Sequence, residues 1–163
     1  MGGLYLNSYG TKQSKAPYSA AVLHGKAKAW AKNKATQLKA ISNNKRNDFN
    51  TACVVYDYET GNYYYGRNKG IKLNGTEKSP ILFGNEVHPG ILPKKSLNDY
   101  IIGNCAEVDA VNNALNAGAK LHNLYMTTIH TYENDFGKLK HACENCTYTF
   151  RGKIRENYAG WEN

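Results

Sequence analysis

Three cysteines constrain this chain more than any other feature, because their thiols can act together only if the fold brings two distant helix starts to one point. Cys105 opens Cys-Ala-Glu, and Cys143 and Cys146 form Cys-x-x-Cys. Two cysteines three apart on one helical turn can reach a single cation, and a third from another helix start completes the set. Helix N-termini suit anionic sulfur, since their unpaired N–H groups and the helix dipole stabilise a thiolate. The expected metal is Zn2+, and three protein ligands leave a fourth position open for water, as a catalytic zinc requires. Glu107, two residues after Cys105, would stand beside that position as a general acid–base. A competing reading makes Asn104 an N-cap and Glu107 its capping-box partner. His141, two residues before Cys143, would turn the site into a closed, structural one if it became a fourth ligand.

The pattern around these motifs reads as an α/β scaffold. Over residues 20–42, Leu23, Ala27, Trp30, Ala31, Leu38 and Ile41 recur at helical spacing and form a core-facing stripe. Lys34 projects close to that stripe, where a long side chain can snorkel. Residues 43–48 read as a loop. A strand over 51–58, a turn at 59–61 and a second strand over 62–66 give a hairpin. Residues 67–103 are irregular, with three prolines and five glycines, so they are either functional or conceal short elements. A helix over 105–117 ends at Gly118, a strand follows at 123–131, and residues 141–146 open a third helix. The tail from Arg151 is polar and weakly patterned. Cys53, within the first strand, reads as a small buried hydrophobe. His88 reads as part of a turn. Trp30 is expected in the core, and outward-facing tyrosines among Tyr63, Tyr64 and Tyr65 are candidates to stack on bases.

Charge divides the chain unevenly. The first fifty residues hold nine Lys or Arg and one acid, Asp48, whereas the remainder balances. A basic segment of this kind favours a polyanion. The expected organisation is a basic arm and N-terminal helix over 1–49 and a catalytic domain over 50–163, forming one compact unit. No window approaches roughly 18 consecutive apolar residues, so no membrane segment is expected. The opening Met-Gly-Gly-Leu-Tyr-Leu lacks the pattern of a secretory signal.

Taken in order, Asn104-Cys105-Ala106-Glu107, Ala114-Leu115-Asn116-Ala117-Gly118-Ala119, Thr128-Ile129-His130 and Cys143-Glu144-Asn145-Cys146 resemble the zinc-dependent cytidine deaminase superfamily. Within it they look most like the YwqJ-type deaminases of bacterial polymorphic toxins, over residues 50–150. Two departures stand out. Ala142 replaces the usual proline before the Cys-x-x-Cys. Only 17 residues follow Cys146, so either the sheet is reduced or its last strand is supplied by another part.

The resemblance implies a deaminase-like mixed β-sheet flanked by helices, with zinc at the N-termini of two of them. It implies Cys105, Cys143 and Cys146 as metal ligands and Glu107 as proton shuttle. Asn50, Thr51, Ala106 and His130 become candidate substrate contacts. The implied reaction is hydrolytic conversion of cytosine to uracil in nucleic acid, with DNA favoured over RNA. The implied setting is a toxin module acting in the cytoplasm of a target cell and blocked by a cognate immunity protein. Three alternatives are a deaminase of free cytidine or another nucleobase, an adenine deaminase, and a non-catalytic nucleic-acid-binding module with structural zinc.

Overall fold

A computed structural model describes residues 19–163; the lead-in arm read at the start of the chain lies outside the described residues. The first helix, α1 (Ala20–Ile41), begins where the Ser19 hydroxyl accepts a hydrogen bond from the Val22 amide at 3.1 Å. Leu23, Ala27 and Ala31 are fully buried. Their four-residue spacing makes one narrow face, and the two alanines let the helix lie close on the sheet. Trp30 and Leu38 flank that face half-buried. Ile41 departs from the expected stripe and is 65% exposed, because it stands in the last turn, past the contact with the core.

Ser42 ends α1 and caps a further short helix, α2 (Asn43–Asn47), by accepting from the Lys45 amide at 3.0 Å. The loop expected over 43–48 is therefore largely helical. A single serine serves both helices, donating its amide to Leu38 while its hydroxyl caps the next turn.

Two antiparallel strands follow, β1 (Thr51–Asp57) and β2 (Tyr63–Arg67). Two short helices, α3 (Gly70–Asn74) and α4 (Pro80–Phe83), occupy part of the irregular 67–103 segment. Then come α5 (Ala106–Asn116), β3 (Leu124–His130), α6 (Glu144–Phe150) and the two-residue β4 (Glu156–Asn157). The sheet order is β2-β1-β3-β4; β1 pairs antiparallel with both neighbours and β3 pairs parallel with β4. It is a mixed α/β sheet, as expected. The polar tail supplies β4, whose two residues are too few to display any period.

Alternation along β1 explains the layers. Ala52, Val54 and Tyr56 pack with α1, whereas Cys53 and Val55 pack with α5 and α6. Every residue of β1 is buried because both faces are covered.

Contact between α5 and the sheet is closest at Gly66. A Cβ there would stand 2.6 Å from the Ala106 carbonyl oxygen and 2.9 Å from the Ala110 Cα. Both are backbone atoms, so nothing small can yield. Gly66→Ala is expected to push α5 off β2 and to destabilise the fold by about 1–3 kcal/mol, as overpacking does; urea denaturation checks this.

Candidate active site

Cys105 and Cys143 are themselves the N-cap residues of α5 and α6, and the Cys143 sulfur also draws on the backbone N–H groups of Asn145 and Cys146 in the first turn of α6. The two sulfurs meet at the positive ends of the two helices. Their Sγ atoms lie 3.5 Å apart. With Cys146, one turn into α6, the three sulfurs fall within 4.8 Å of one another.

Because Cys105 holds the N-cap, the capping box read from Asn104 and Glu107 does not form. Asn104 instead gives its backbone carbonyl to the Lys69 amide at 2.8 Å. Glu107 sits in the first turn of α5, only 3% exposed. Its Oε1 is 3.9 Å from the Cys146 sulfur, and its Oε2 has no hydrogen-bond partner among the described residues. The group of candidate ligands contains no histidine: His141 is exposed and bonds Glu162 at 2.7 Å.

The three sulfurs and Glu107 shape one another's titration. Hydrogen bonds from the Cys105 and Cys146 thiols, with backbone N–H groups of α6, hold Cys143 well below the usual thiol range. The Cys105 thiol is pushed up chiefly by its hydrogen bond to Cys143, and the Cys146 thiol by its bonds to Cys105 and Cys143 and by burial. The three thiols thus oppose one another's ionisation, and Cys143 is the one the surroundings favour as thiolate. A divalent cation would allow all three to ionise. Burial raises the Glu107 carboxyl, against the opposing charge of Lys140. For Lys140 itself, burial works to lower the ammonium, but Glu107 and the sulfurs facing it prevail and raise it.

Above these groups lies a cavity of about 310 Å³. Cys105, Cys143 and Glu107 contribute to its wall, as do Asn50, Thr51 and Ala106. His130 is not among the lining residues; Tyr132, stacked on the His130 ring at 5.7 Å, lines it instead. Cys53 and His88 also lie away from it, the first fully buried in the core and the second on an exposed turn.

Sequence reasoning missed Lys69, Tyr100, Tyr132 and Lys140, all of which line the cavity. None has a motif of its own. Tyr100 arrives on a loop tied to the start of α6 by Asn145, within Cys143-Glu144-Asn145-Cys146. The Asn145 side chain accepts from the Leu97 amide at 2.8 Å and donates to Ser96 and Asn98 at 3.0 and 3.1 Å. Glu144 takes a further bond from Asn98 at 2.8 Å.

Three soft sulfur donors suit a thiolate-seeking cation such as zinc, and no fourth protein ligand closes the set among the described residues. The unpartnered Glu107 oxygen supplies an acceptor beside the open position. A family model described as YwqJ-like deaminase matches residues 33–152. The chain belongs to the YwqJ-like deaminase family. No curated protein and no solved structure matches it. The match to the YwqJ-like deaminases begins inside α1, so part of the basic helix lies within the family region rather than before it. It ends just past α6, after all three cysteines. No helix among the described residues is long and apolar enough to cross a membrane.

Two outcomes follow from this geometry. Glu107 has a higher pKa folded than unfolded, so the folded state keeps its proton longer and loses stability as pH rises from the unfolded value, about 4.3, toward the folded one. Glu107→Gln removes that loss. In metal-free protein the variant's melting temperature should gain on the parent's as pH rises above the unfolded carboxyl value, and a constant difference would contradict the assignment. Asn145→Ala should free the loop over residues 96–101, seen as faster amide exchange there, with a cost of about 0.5–1.5 kcal/mol for each hydrogen bond lost, because Ser96 and Leu97 are exposed and can turn to water.

Proposed function

We propose that this YwqJ-like deaminase is a zinc-dependent enzyme that converts cytosine to uracil in nucleic acid, DNA in particular, as a toxin module. The observation that carries the reading is the placement of a buried carboxylate with one free oxygen beside three converging sulfurs, at the wall of a cavity that a nucleobase can enter. Its volume, about 310 Å³, is at the lower end for small-molecule sites.

Cys105, Cys143 and Cys146 would hold the metal. When bound, zinc supplies Lewis-acid activation of water at neutral pH. Glu107 does the proton work. As water adds to the ring carbon that bears the exocyclic amine, Glu107 Oε2 takes its proton and returns it to the departing nitrogen. Ammonia leaves and a carbonyl remains, so one water is consumed for each amine lost. The raised carboxyl suits this role, because it holds a proton more readily than an exposed glutamate does. Lys140, facing Glu107, stabilises the carboxylate each time the proton has moved.

Substrate positioning falls to the rest of the wall. Asn50, whose side-chain amide makes no hydrogen bond among the described residues, offers both a donor and an acceptor to a base or sugar edge. Thr51 and Ala106 shape the floor beside it. Tyr100 and Tyr132, each about half-exposed at the mouth, are placed to stack on a base. His130 acts through Tyr132, against which it stacks.

The preference for nucleic acid over a free nucleoside is supported by α1 and α2, which together carry seven Lys or Arg and no acid. The toxin role, and with it a cognate immunity protein and action inside a target cell, rests on the resemblance to the polymorphic-toxin deaminases.

The test uses purified zinc-loaded protein and Glu107→Ala, incubated with single-stranded DNA, duplex DNA, RNA and free cytidine. The parent should convert C to U and favour DNA. Glu107→Ala should keep its metal and lose about 10²–10⁴-fold in rate. A-to-I conversion would replace cytosine with adenine, and wild-type turnover by Glu107→Ala would remove the shuttle assignment.

A further inference from the structure

A second concavity, of about 600 Å³, runs along β2, the open edge of the sheet. One wall is α1 and α2, contributing Trp30, Lys34 and Lys45; the floor is β2 with Tyr63, Tyr65 and Arg67. The active-site reading does not use it. The two concavities are neighbours, because consecutive residues divide between them: Arg67 lines the groove, and Asn68 and Lys69 line the catalytic cavity.

Its chemistry selects the occupant. The basic wall carries no acid anywhere in α1 or α2. Of the two acids in the groove, Asp48 pairs with Lys69 at 2.9 Å, and Asp109, 3% exposed, accepts the Arg67 amide at 2.9 Å through one oxygen while its Oδ1 is buried without a partner among the described residues. Lys34 and Lys45 form no ion pair among the described residues, although Lys34 exerts its charge on Asp109 and its Nζ lies 5.4 Å from the Trp30 ring centre. The groove therefore offers uncommitted cations beside aromatic surface, with Trp30 stacked on Tyr65 at 5.5 Å. That combination fits a polynucleotide strand, with phosphates on the lysines and bases or sugars against the rings.

A peptide strand adding to the sheet fits poorly. Two backbone groups on the outward side of β2 are already taken by α5, with Asn113 donating to the Tyr65 carbonyl at 2.8 Å and Asp109 taking the Arg67 amide. Strand addition needs those groups free.

We propose that the groove along β2 binds the single-stranded nucleic acid flanking the base presented to the Glu107 cavity, with Lys34 and Lys45 as its phosphate contacts. This rests on the nucleic-acid reading above and extends it to a surface outside the catalytic wall.

The experiment measures binding of a fluorescein-labelled single-stranded oligonucleotide by anisotropy across a salt series. It compares the zinc-loaded parent, Lys34→Gln/Lys45→Gln, and Lys153→Gln, the last removing a cation that lines neither concavity. Circular dichroism melts establish that each variant is folded. The double variant should bind more weakly, and its log K against log salt slope should be shallower by about 1.4, for two lost contacts to a single strand. Lys153→Gln should match the parent. Equal affinity and slope in the parent and the double variant would overturn the groove while leaving the nucleic-acid reading intact. Absence of oligonucleotide binding by the parent at low salt would overturn both.

Discussion

The meeting of two helix N-termini organises this molecule. Cys105 and Cys143 are the N-caps of α5 and α6, and their sulfurs meet at 3.5 Å between the two helix starts. Each helix then presents unpaired N–H groups and the positive end of its dipole to the same small volume, where negative charge is favoured. The same turn of α5 carries Glu107 to the wall of the cavity. Cys105 and Glu107 are thus placed by the start of α5, and Cys143 and Cys146 by the start of α6, so the spacing within each pair is set by helix geometry rather than by loop conformation.

That arrangement holds only if α5 is seated closely on the sheet. Gly66 allows it on β2, where the backbone of α5 occupies the space a side chain would need. Asp109 adds a second fixation by accepting the Arg67 amide, and Gly70 leaves room for that carboxylate. Two turns of α5 are therefore pinned to the edge strand. The contacts of α5 take two backbone groups on the outward side of β2, blunting an edge that would otherwise invite another strand. Packing at the core and the character of the edge groove have a common origin.

Charge is arranged in two distinct ways. Inside the cavity, Lys140 faces Glu107 and the sulfurs, and each shifts the other. Along α1 and α2 the lysines have no carboxylate partner among the described residues, so they add to a positive surface potential rather than to local pairs, and Arg46 is spent on the Phe49 and Thr131 carbonyls. Lys34 lies between the regimes: its stem runs along the half-buried edge of α1 and its ammonium reaches the Trp30 ring. Its position beside the apolar stripe was legible from helical spacing; that it faces a groove was not.

Much of the scaffold could be read from local pattern. Leu23, Ala27 and Ala31 at four-residue spacing, the β1–β2 hairpin and the Gly118 stop are consequences of short-range geometry, and each stands where the sequence puts it. The α2 turn was missed because its sign is the Ser42 cap rather than any apolar period. β4 was missed because two residues have no period. For the site, Cys-Ala-Glu and Cys-x-x-Cys announced the sulfur cluster, since motif spacing within a helical turn is itself a distance. Lys140, Tyr100 and Tyr132 had no such signal, because their approach depends on loops whose paths are fixed by distant partners, Asn145 foremost. The sequence by itself determined which donors could meet and on which helix starts. Tertiary structure alone decided what surrounds them, because long-range hydrogen bonds and packing, not local propensity, choose the neighbours of a cavity.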